Sequence, residues 1–228
     1  MKILAVDTAE QSCSIALVEN RIPICEVFHL GSFTHSRTLM DMIAHIIEKQ
    51  AQITIRDVDG FIVARGPGSF TGLRISISIV KGLAYAMSKP SAGISSLDGI
   101  AFQFLFSSVP VCVMMDAKRG EVYCAVYLFS NGRLIQKSEE VVVSPEQAVI
   151  MTESKSPVLF AGSGVVVYRP LIKKIMGNAA LFAPEFQNFV RASVLAHMFF
   201  EDITILSMSP DAITPVYLRK SDAEGNNP

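Results

Sequence analysis

The sequence predicts an α/β protein in which one fold occurs twice along the chain. An apolar strand, a turn that begins with aspartate and a second apolar strand occur around Asp7, and again about a hundred residues later around Asp116. Each of these pairs is followed by a further strand that ends in a glycine loop, at residues 66–68 and 162–164. Self-similarity of this kind indicates a duplicated domain.

Length and composition are compatible with two domains. The chain has 228 residues, and half of them are apolar, which is enough for two packed cores. The segment 107–110 is the best boundary, so we predict an N-terminal domain at 1–108 and a reduced C-terminal domain at 109–220. The polar residues 221–228 are expected to form a disordered tail.

Hydrophobic periodicity assigns the elements of the N-terminal half. Residues 3–7, 14–18 and 61–64 are predicted strands, because they are short apolar runs bounded by turn residues. Residues 33–50 are predicted to form an amphipathic helix, since apolar side chains recur there at helical spacing. The run 73–87 alternates like a strand but is too long for one, and we therefore predict a helix.

A helix from Ser95 or Ser96 to residue 106 completes this half. In the C-terminal half, Asn131-Gly132 predicts a hairpin turn, and Ser144 followed by proline predicts the start of a short helix. The other elements predicted there are strands at 111–116, within 121–143 (two strands) and at 158–161, and helices near 166–176 and 190–205.

Charge and composition exclude several functional classes. A net charge of −1 is not that of a protein that grips nucleic acid by itself. No apolar run approaches the roughly 20 residues that span a bilayer, and the N-terminus lacks the features of a signal peptide, so we expect a cytoplasmic protein with no membrane partner. The four cysteines lack C-x-x-C spacing and are predicted to be reduced strand residues: Cys13, Cys25, Cys112 and Cys124.

The segment 65–74 contains three glycines and one proline between a strand and a helix. Small residues let the chain turn tightly here, and the helix is predicted to open near Ser69 or Thr71. A helix N-terminus after such a loop suits an anion. However, no Gly-Lys-Ser/Thr follows, and Thr71 stands where the dinucleotide motif needs its last glycine. The residues predicted to shape the loop are Gly66, Pro67, Gly68, Ser69 and Gly72.

Asp7 and Asp116 each end a strand, where acids that handle Mg²⁺ and phosphate often lie. The alternative is that each carboxylate only caps its own turn. Thr8-Ala9-Glu10 follows the first aspartate without the glycine that would admit a phosphate. Both aspartates remain candidates for a position near a nucleotide.

Other catalytic sites are not predicted. His35 and His45 would lie roughly 15 Å apart along a helix, which is too far for one metal ion. The chain has no Gly-x-Ser-x-Gly elbow, so the motif of a serine hydrolase is absent.

The helices at 33–50 and 73–87 carry more apolar residues than one core-facing stripe requires. Ser78, Gly82 and Ala86 also stack four apart, which would permit close approach of another backbone. The excess indicates either a thick core or a contact with a partner subunit, and both remain open. The candidate interface residues are His35, Leu39, Met42, Ile43, Ile46, Ile75, Ser78, Ile79, Gly82 and Ala86.

Five collinear segments resemble the TsaB (YeaZ) family, which is needed for threonylcarbamoyladenosine in tRNA. These segments cover residues 3–8, 34–39, 66–74, 116–123 and 215–219. The resemblance spans nearly the whole chain. It implies a duplicated actin-like, ribonuclease-H-like (ASKHA) fold with two domains.

The family is similar to the catalytic protein TsaD, which shares the glycine loop and then carries a His-x-x-x-His metal pair. Here Ser96 and Ile100 stand at those two positions. The resemblance therefore implies a non-catalytic subunit that binds TsaD through its N-terminal half. With the ATPase TsaE, it would support TsaD in modifying adenosine 37 of tRNAs that read A-starting codons.

The resemblance also implies that the chain binds no metal or cofactor alone, although it permits a nucleotide at the subunit interface. It implies a homodimer when TsaD is absent, and contact with tRNA only through the complex. The alternative is an enzyme acting on its own, either an ATP-binding member of the actin-like group or a peptidase.

Overall fold

The computed structural model describes residues 1–31, 35–152 and 157–219. The chain divides into two compact units. Of the described residues, the first unit contains those within Met1–Gly99 and Val190–Val216, and the second contains those within Ile100–Phe189 and residues 217–219. The residues of the predicted tail lie outside the described ranges.

The first unit contains a five-stranded sheet in the order β3-β2-β1-β4-β5. Its strands are β1 (Lys2–Asp7), β2 (Ser12–Glu19), β3 (Ile22–Leu30), β4 (Gly60–Gly66) and β5 (Ser91–Ser95). β1 to β3 form an antiparallel meander, while β4 runs parallel to β1 and β5 runs parallel to β4. The central strands are buried almost throughout, which explains their continuous apolar sequences.

One helix follows β3 along the chain, a second follows β4 and a third follows β5. They are α1 (His35–Ala44), α2 (Phe70–Met87) and α3 (Ser96–Ala101). α1 continues as a π-helical segment, His45–Gln50. α3 is followed by a 3₁₀ turn, Phe102–Phe104, so the regular helix is shorter than predicted. Residues 33 and 34 of the predicted first helix lie outside the described residues.

The second unit repeats this arrangement in the order β11-β10-β6-β7-β8, with β9 paired to β7. Its strands are β6 (Val111–Lys118), β7 (Glu121–Ser130), β8 (Arg133–Lys137), β9 (Val141–Val143), β10 (Val158–Ala161) and β11 (Ala180–Phe182). Its helices are α4 (Pro145–Ile150) and α5 (Ser163–Met176). β6, β7, β8, β10 and β11 pair in the same directions as β1 to β5, so the predicted duplication is confirmed.

The last helix, α6 (Ala192–Glu201), returns to the first unit and packs on β1 and β2. The predicted continuous domain at 109–220 therefore differs from the observed division. The physical reason is the apolar face of α6: Leu195, Ala196 and Phe199 are fully buried there. Further 3₁₀ turns are Ile55–Asp57, Gly177–Ala179, Glu185–Gln187, Ile203–Ile205 and Pro210–Ala212.

All four cysteines are free and lie in strands, as predicted. The Sγ atoms of Cys112 and Cys124 are 3.7 Å apart inside the core of the second unit. Among the helices of the described ranges, none is long and apolar enough to cross a membrane.

Candidate functional site

The turn after β1 lies directly against the glycine loop after β4. The Ser69 amide donates a hydrogen bond to the Ala9 carbonyl at 2.6 Å. The Thr8 hydroxyl donates to the Gly72 carbonyl at 2.8 Å, and Thr8 is fully buried. The two segments are thus fastened to each other, largely through their backbones.

Two glycines of the loop are required by this close approach. A Cβ atom on Gly68 would lie 2.3 Å from the Ala9 carbonyl oxygen, and one on Gly72 would lie 2.1 Å from the Thr8 carbonyl oxygen. Any side chain at either position would force the two segments apart. The space beside the loop is therefore occupied by the chain's own backbone.

α2 begins where the sequence predicts it. Ser69 is the N-cap residue, and its Oγ accepts a hydrogen bond from the Gly72 amide at 3.3 Å. Such a cap satisfies one of the free amides of the first turn. The Ser69 hydroxyl therefore has a structural role at the helix start.

Asp7 is fully buried at the end of β1. Its Oδ1 accepts a hydrogen bond from the Ala9 amide at 3.0 Å, while its Oδ2 has no hydrogen-bond partner among the described residues. Burial raises the pKa of Asp7 to about 8, although the Ala9 amide opposes the shift, and the nearby Glu10 carboxylate raises it further. The hydrogen bond from the Ala9 amide is the bond that a turn-capping aspartate accepts.

Asp116 has a different environment at the corresponding position of the second unit. Its Oδ1 accepts a hydrogen bond from the Lys118 amide at 2.8 Å, and its Oδ2 pairs with the Lys118 Nζ at 2.6 Å. Its own amide donates to the Ser163 Oγ at the start of α5. Lys118 and Arg119 both have positive φ angles, so this aspartate stabilises a tight turn between β6 and β7. A position of either aspartate near a nucleotide stays a prediction.

The α3 positions that would carry a metal pair are part of the core. Ser96 and Ile100 are both fully buried. Within the described ranges, no group of three or more His, Cys, Asp or Glu side chains is arranged to hold a metal ion. His45 is exposed, and its Nε2 lies 3.0 Å from the Nε2 of the Gln50 side chain. The His35 side chain lies outside the described residues.

The candidate interface residues divide into two groups. Leu39, Ile43 and Ile46 are buried in the core of the first unit, so they support the α1 segment and offer no surface to a partner. This corrects the sequence-based set, in which apolar spacing could not separate a core stripe from an exposed one.

The other candidates whose side chains the structure describes are at least partly accessible. Ser78, Gly82 and Ala86 are exposed along α2, whereas Met42, Ile75 and Ile79 are partly buried. Tyr85, which the candidate set omitted, is 80% exposed on α2. Tyr85 follows Gly82 by three residues, which places both on the same side of a helix. This spacing could have identified Tyr85 from the sequence. We call Ser78, Gly82, Tyr85 and Ala86 the α2 stripe.

Comparison with known proteins identifies close similarity over nearly the full chain. A family model described as TsaD, tRNA N6-adenosine threonylcarbamoyltransferase, matches residues 29–225. Two curated relatives carry the name tRNA threonylcarbamoyladenosine biosynthesis protein TsaB. The Bacillus subtilis protein is 29% identical, and the Escherichia coli protein is 30% identical; each alignment covers 98% of this chain and 96% of the relative.

A solved structure from Pseudomonas aeruginosa has the same architecture. It is described as an uncharacterized protein with similarity to peptidase YEAZ, and it matches with a TM-score of 0.78 and 27% identity. The match covers 96% of this chain and 99% of that one. Together with the duplicated sheet topology, this confirms the predicted actin-like, ribonuclease-H-like fold class.

Proposed function

This chain belongs to the TsaB (YeaZ) family, within the wider TsaD family, and we propose that it is a non-catalytic subunit of a tRNA-modifying complex. In this proposal the chain binds TsaD and, together with TsaE, supports TsaD in forming N6-threonylcarbamoyladenosine at position 37 of tRNAs that read A-starting codons. It works in the cytoplasm and meets tRNA only through the complex.

The α2 stripe is the observation that carries the docking part of this proposal. Ser78, Gly82 and Ala86 are exposed, and apart from the neighbouring residues and backbone of α2 itself, no described atom lies within 4 Å of a Cβ atom built on Gly82. Small residues let a second helix approach closely, and the adjacent Ile75 and Ile79 offer apolar area. Glycine inside an exposed helix costs about 0.5–1 kcal/mol relative to alanine, which a close helix contact would offset.

The structure of the glycine loop supports the proposal that the chain is a non-catalytic subunit. The Thr8 and Ala9 carbonyls lie where side chains on Gly72 and Gly68 would be, so the loop does not form an open phosphate cradle. The Ser69 hydroxyl is engaged as the helix cap, which disfavours a peptidase nucleophile there. A nucleotide at the interface with TsaD is compatible with this arrangement, and we propose none for the isolated chain.

Gly82→Glu tests the docking proposal without weakening the helix, because glutamate is a better helix former than glycine and open space surrounds Gly82. Burial of its charge should weaken TsaD binding about 100-fold or more, measured by calorimetry. Formation of the modified base in a mixture of TsaD, TsaE and tRNA should fall with it. The same variant should be monomeric in analytical ultracentrifugation, whereas the wild-type chain alone should form a homodimer.

Val166→Glu is the matched control, because Val166 is an exposed helical position in the second unit. It should bind TsaD as the wild type does. Unchanged TsaD affinity in Gly82→Glu would rule out docking through the α2 stripe. Micromolar Mg·ATP binding by the isolated chain, lost in Asp7→Ala, would favour the independent ATP-binding enzyme instead.

A further inference from the structure

Residues 207–216, at the end of the first unit, lie along the edge of its sheet, and we call them the C-terminal strap. The Ser91 amide donates to the Ser207 carbonyl at 2.9 Å, and the Ser207 amide donates to the Ser91 carbonyl at 3.0 Å. Ser91 belongs to β5, the outermost strand of the sheet. The strap therefore covers part of an otherwise open edge.

The other end of the strap is bonded to the glycine loop. The Val216 amide donates a hydrogen bond to the Arg65 carbonyl at 2.7 Å. Gly66 has a φ angle of +109°, and a Cβ atom on it would lie 2.6 Å from the Val216 carbonyl oxygen. Glycine is required at this position both by its backbone conformation and by the strap.

Between these two ends, the strap contacts the sheet and α2. Ile213 is buried, and its Cγ2 lies 3.2 Å from the point that a Cβ atom on Gly93 of β5 would occupy. The turn Pro210–Ala212 packs against α2, where the Asp211 carboxylate approaches the Lys81 Nζ at 3.9 Å. The strap thus touches the strand before α2, the strand after it and α2 itself.

We propose that the strap is a positioning element for the docking helix. It holds the start of the glycine loop and the Lys81 region of α2 in the arrangement that a partner binds, without forming part of the α2 stripe. A loop that must be ordered during binding lowers the affinity, whereas one that is already ordered does not. This inference rests on the proposed docking function, because it explains how the docking helix is held in place before the partner binds.

Val216→Pro removes the amide that bonds to Arg65, and Ile213→Ala removes a buried anchor in case the proline variant fails to fold. In Val216→Pro, hydrogen exchange of the amides in residues 66–74 should rise about three- to tenfold, which matches the loss of about one hydrogen bond. In Ile213→Ala it should rise at least as much, because a buried apolar side chain is lost. TsaD affinity should fall by a similar factor. Thr214→Ala, at an exposed strap position, should change neither quantity.

The two readouts separate this inference from the docking proposal. Unchanged exchange at residues 66–74 in both variants would overturn the strap as a positioning element, whatever the TsaD affinity is. Faster exchange with unchanged TsaD affinity would overturn the link to docking. If Gly82→Glu leaves TsaD binding intact, the docking proposal fails, while the exchange measurement still decides whether the strap orders the loop.

Discussion

Asp7 is the residue whose environment departs most from expectation for a strand-end carboxylate. Aspartate at the end of β1 was predicted from the turn alone, but its burial depends on the packing of the turn against the glycine loop. No local pattern contains that contact. Sequence reasoning could therefore identify Asp7 as a candidate but could not tell a charged site from a neutral buried carboxyl.

Asp7→Asn is expected to stabilise the protein at neutral and alkaline pH. Burial raises the pKa of Asp7 from the ordinary value of a free aspartate to about 8 in the folded chain, so the folded state binds more protons than the unfolded state over this range. Stability of the wild type should therefore fall as pH rises from about 4 to 8. At pH 8 the variant should be more stable than the wild type by several kcal/mol, with a correspondingly higher Tm, measured by calorimetry.

Asp116→Asn is the control for this prediction, because it removes the carboxylate that pairs with Lys118 in the corresponding turn. It should give no gain in stability at pH 8. A wild-type Tm that does not fall between pH 5 and pH 8 relative to Asp7→Asn would contradict the burial argument.

At the scale of single elements, the sequence predicts those helices and strands whose ends and buried faces are marked by neighbouring residues. α2 begins at its Ser69 cap, and α4 begins with the Ser144–Gln147 capping box that the sequence indicates. β3 was not predicted, since it is a largely exposed edge strand whose residues do not alternate. β11 has only three residues, and its position depends on pairing with β10.

Two glycines of α2 should respond to alanine with opposite signs. Gly82→Ala places a methyl group in open space, so stability should rise by about 0.5–1 kcal/mol, or roughly 1–4 °C in Tm. Gly72→Ala drives its Cβ into the Thr8 carbonyl and should cost about 1–3 kcal/mol. Thermal unfolding of the isolated chains measures both, and a loss of stability in Gly82→Ala would show that the stripe is not open.

Gly82→Ala should also weaken TsaD binding while it stabilises the isolated chain. An added methyl group is harmless in water but separates two helices that approach closely. Higher stability with lower affinity is the signature of a residue kept for a contact. Higher stability with unchanged affinity would indicate that the glycine has no role in docking.

At the scale of the whole molecule, the duplication was predictable because each half carries the same run of strand, aspartate turn, strand and glycine loop. The division into units was not, because residues 190–216 return to the first unit. That return depends on contacts across more than 160 positions: the Glu26 carboxylate accepts hydrogen bonds from Arg191 at 3.1 Å and from the Ser193 hydroxyl at 2.8 Å. Neither the sequence around Glu26 nor that around Arg191 and Ser193 has a local pattern that would predict this contact.

Glu26→Gln should therefore weaken the attachment of the returning segment. Burial acts to raise the pKa of Glu26, but the hydrogen bonds from Arg191 and Ser193 outweigh it, and the net pKa lies below the ordinary value. A lowered folded pKa gives stability that is present above the unfolded pKa and is lost as pH falls through the folded pKa. At pH 7 the variant should lose about 1–3 kcal/mol, and the difference should shrink in acid. Hydrogen exchange should rise first in α6, because its N-terminal amides at Ser193 and Ala192 bond to Glu26 and Ser14; a uniform rise over the first unit would contradict a local attachment.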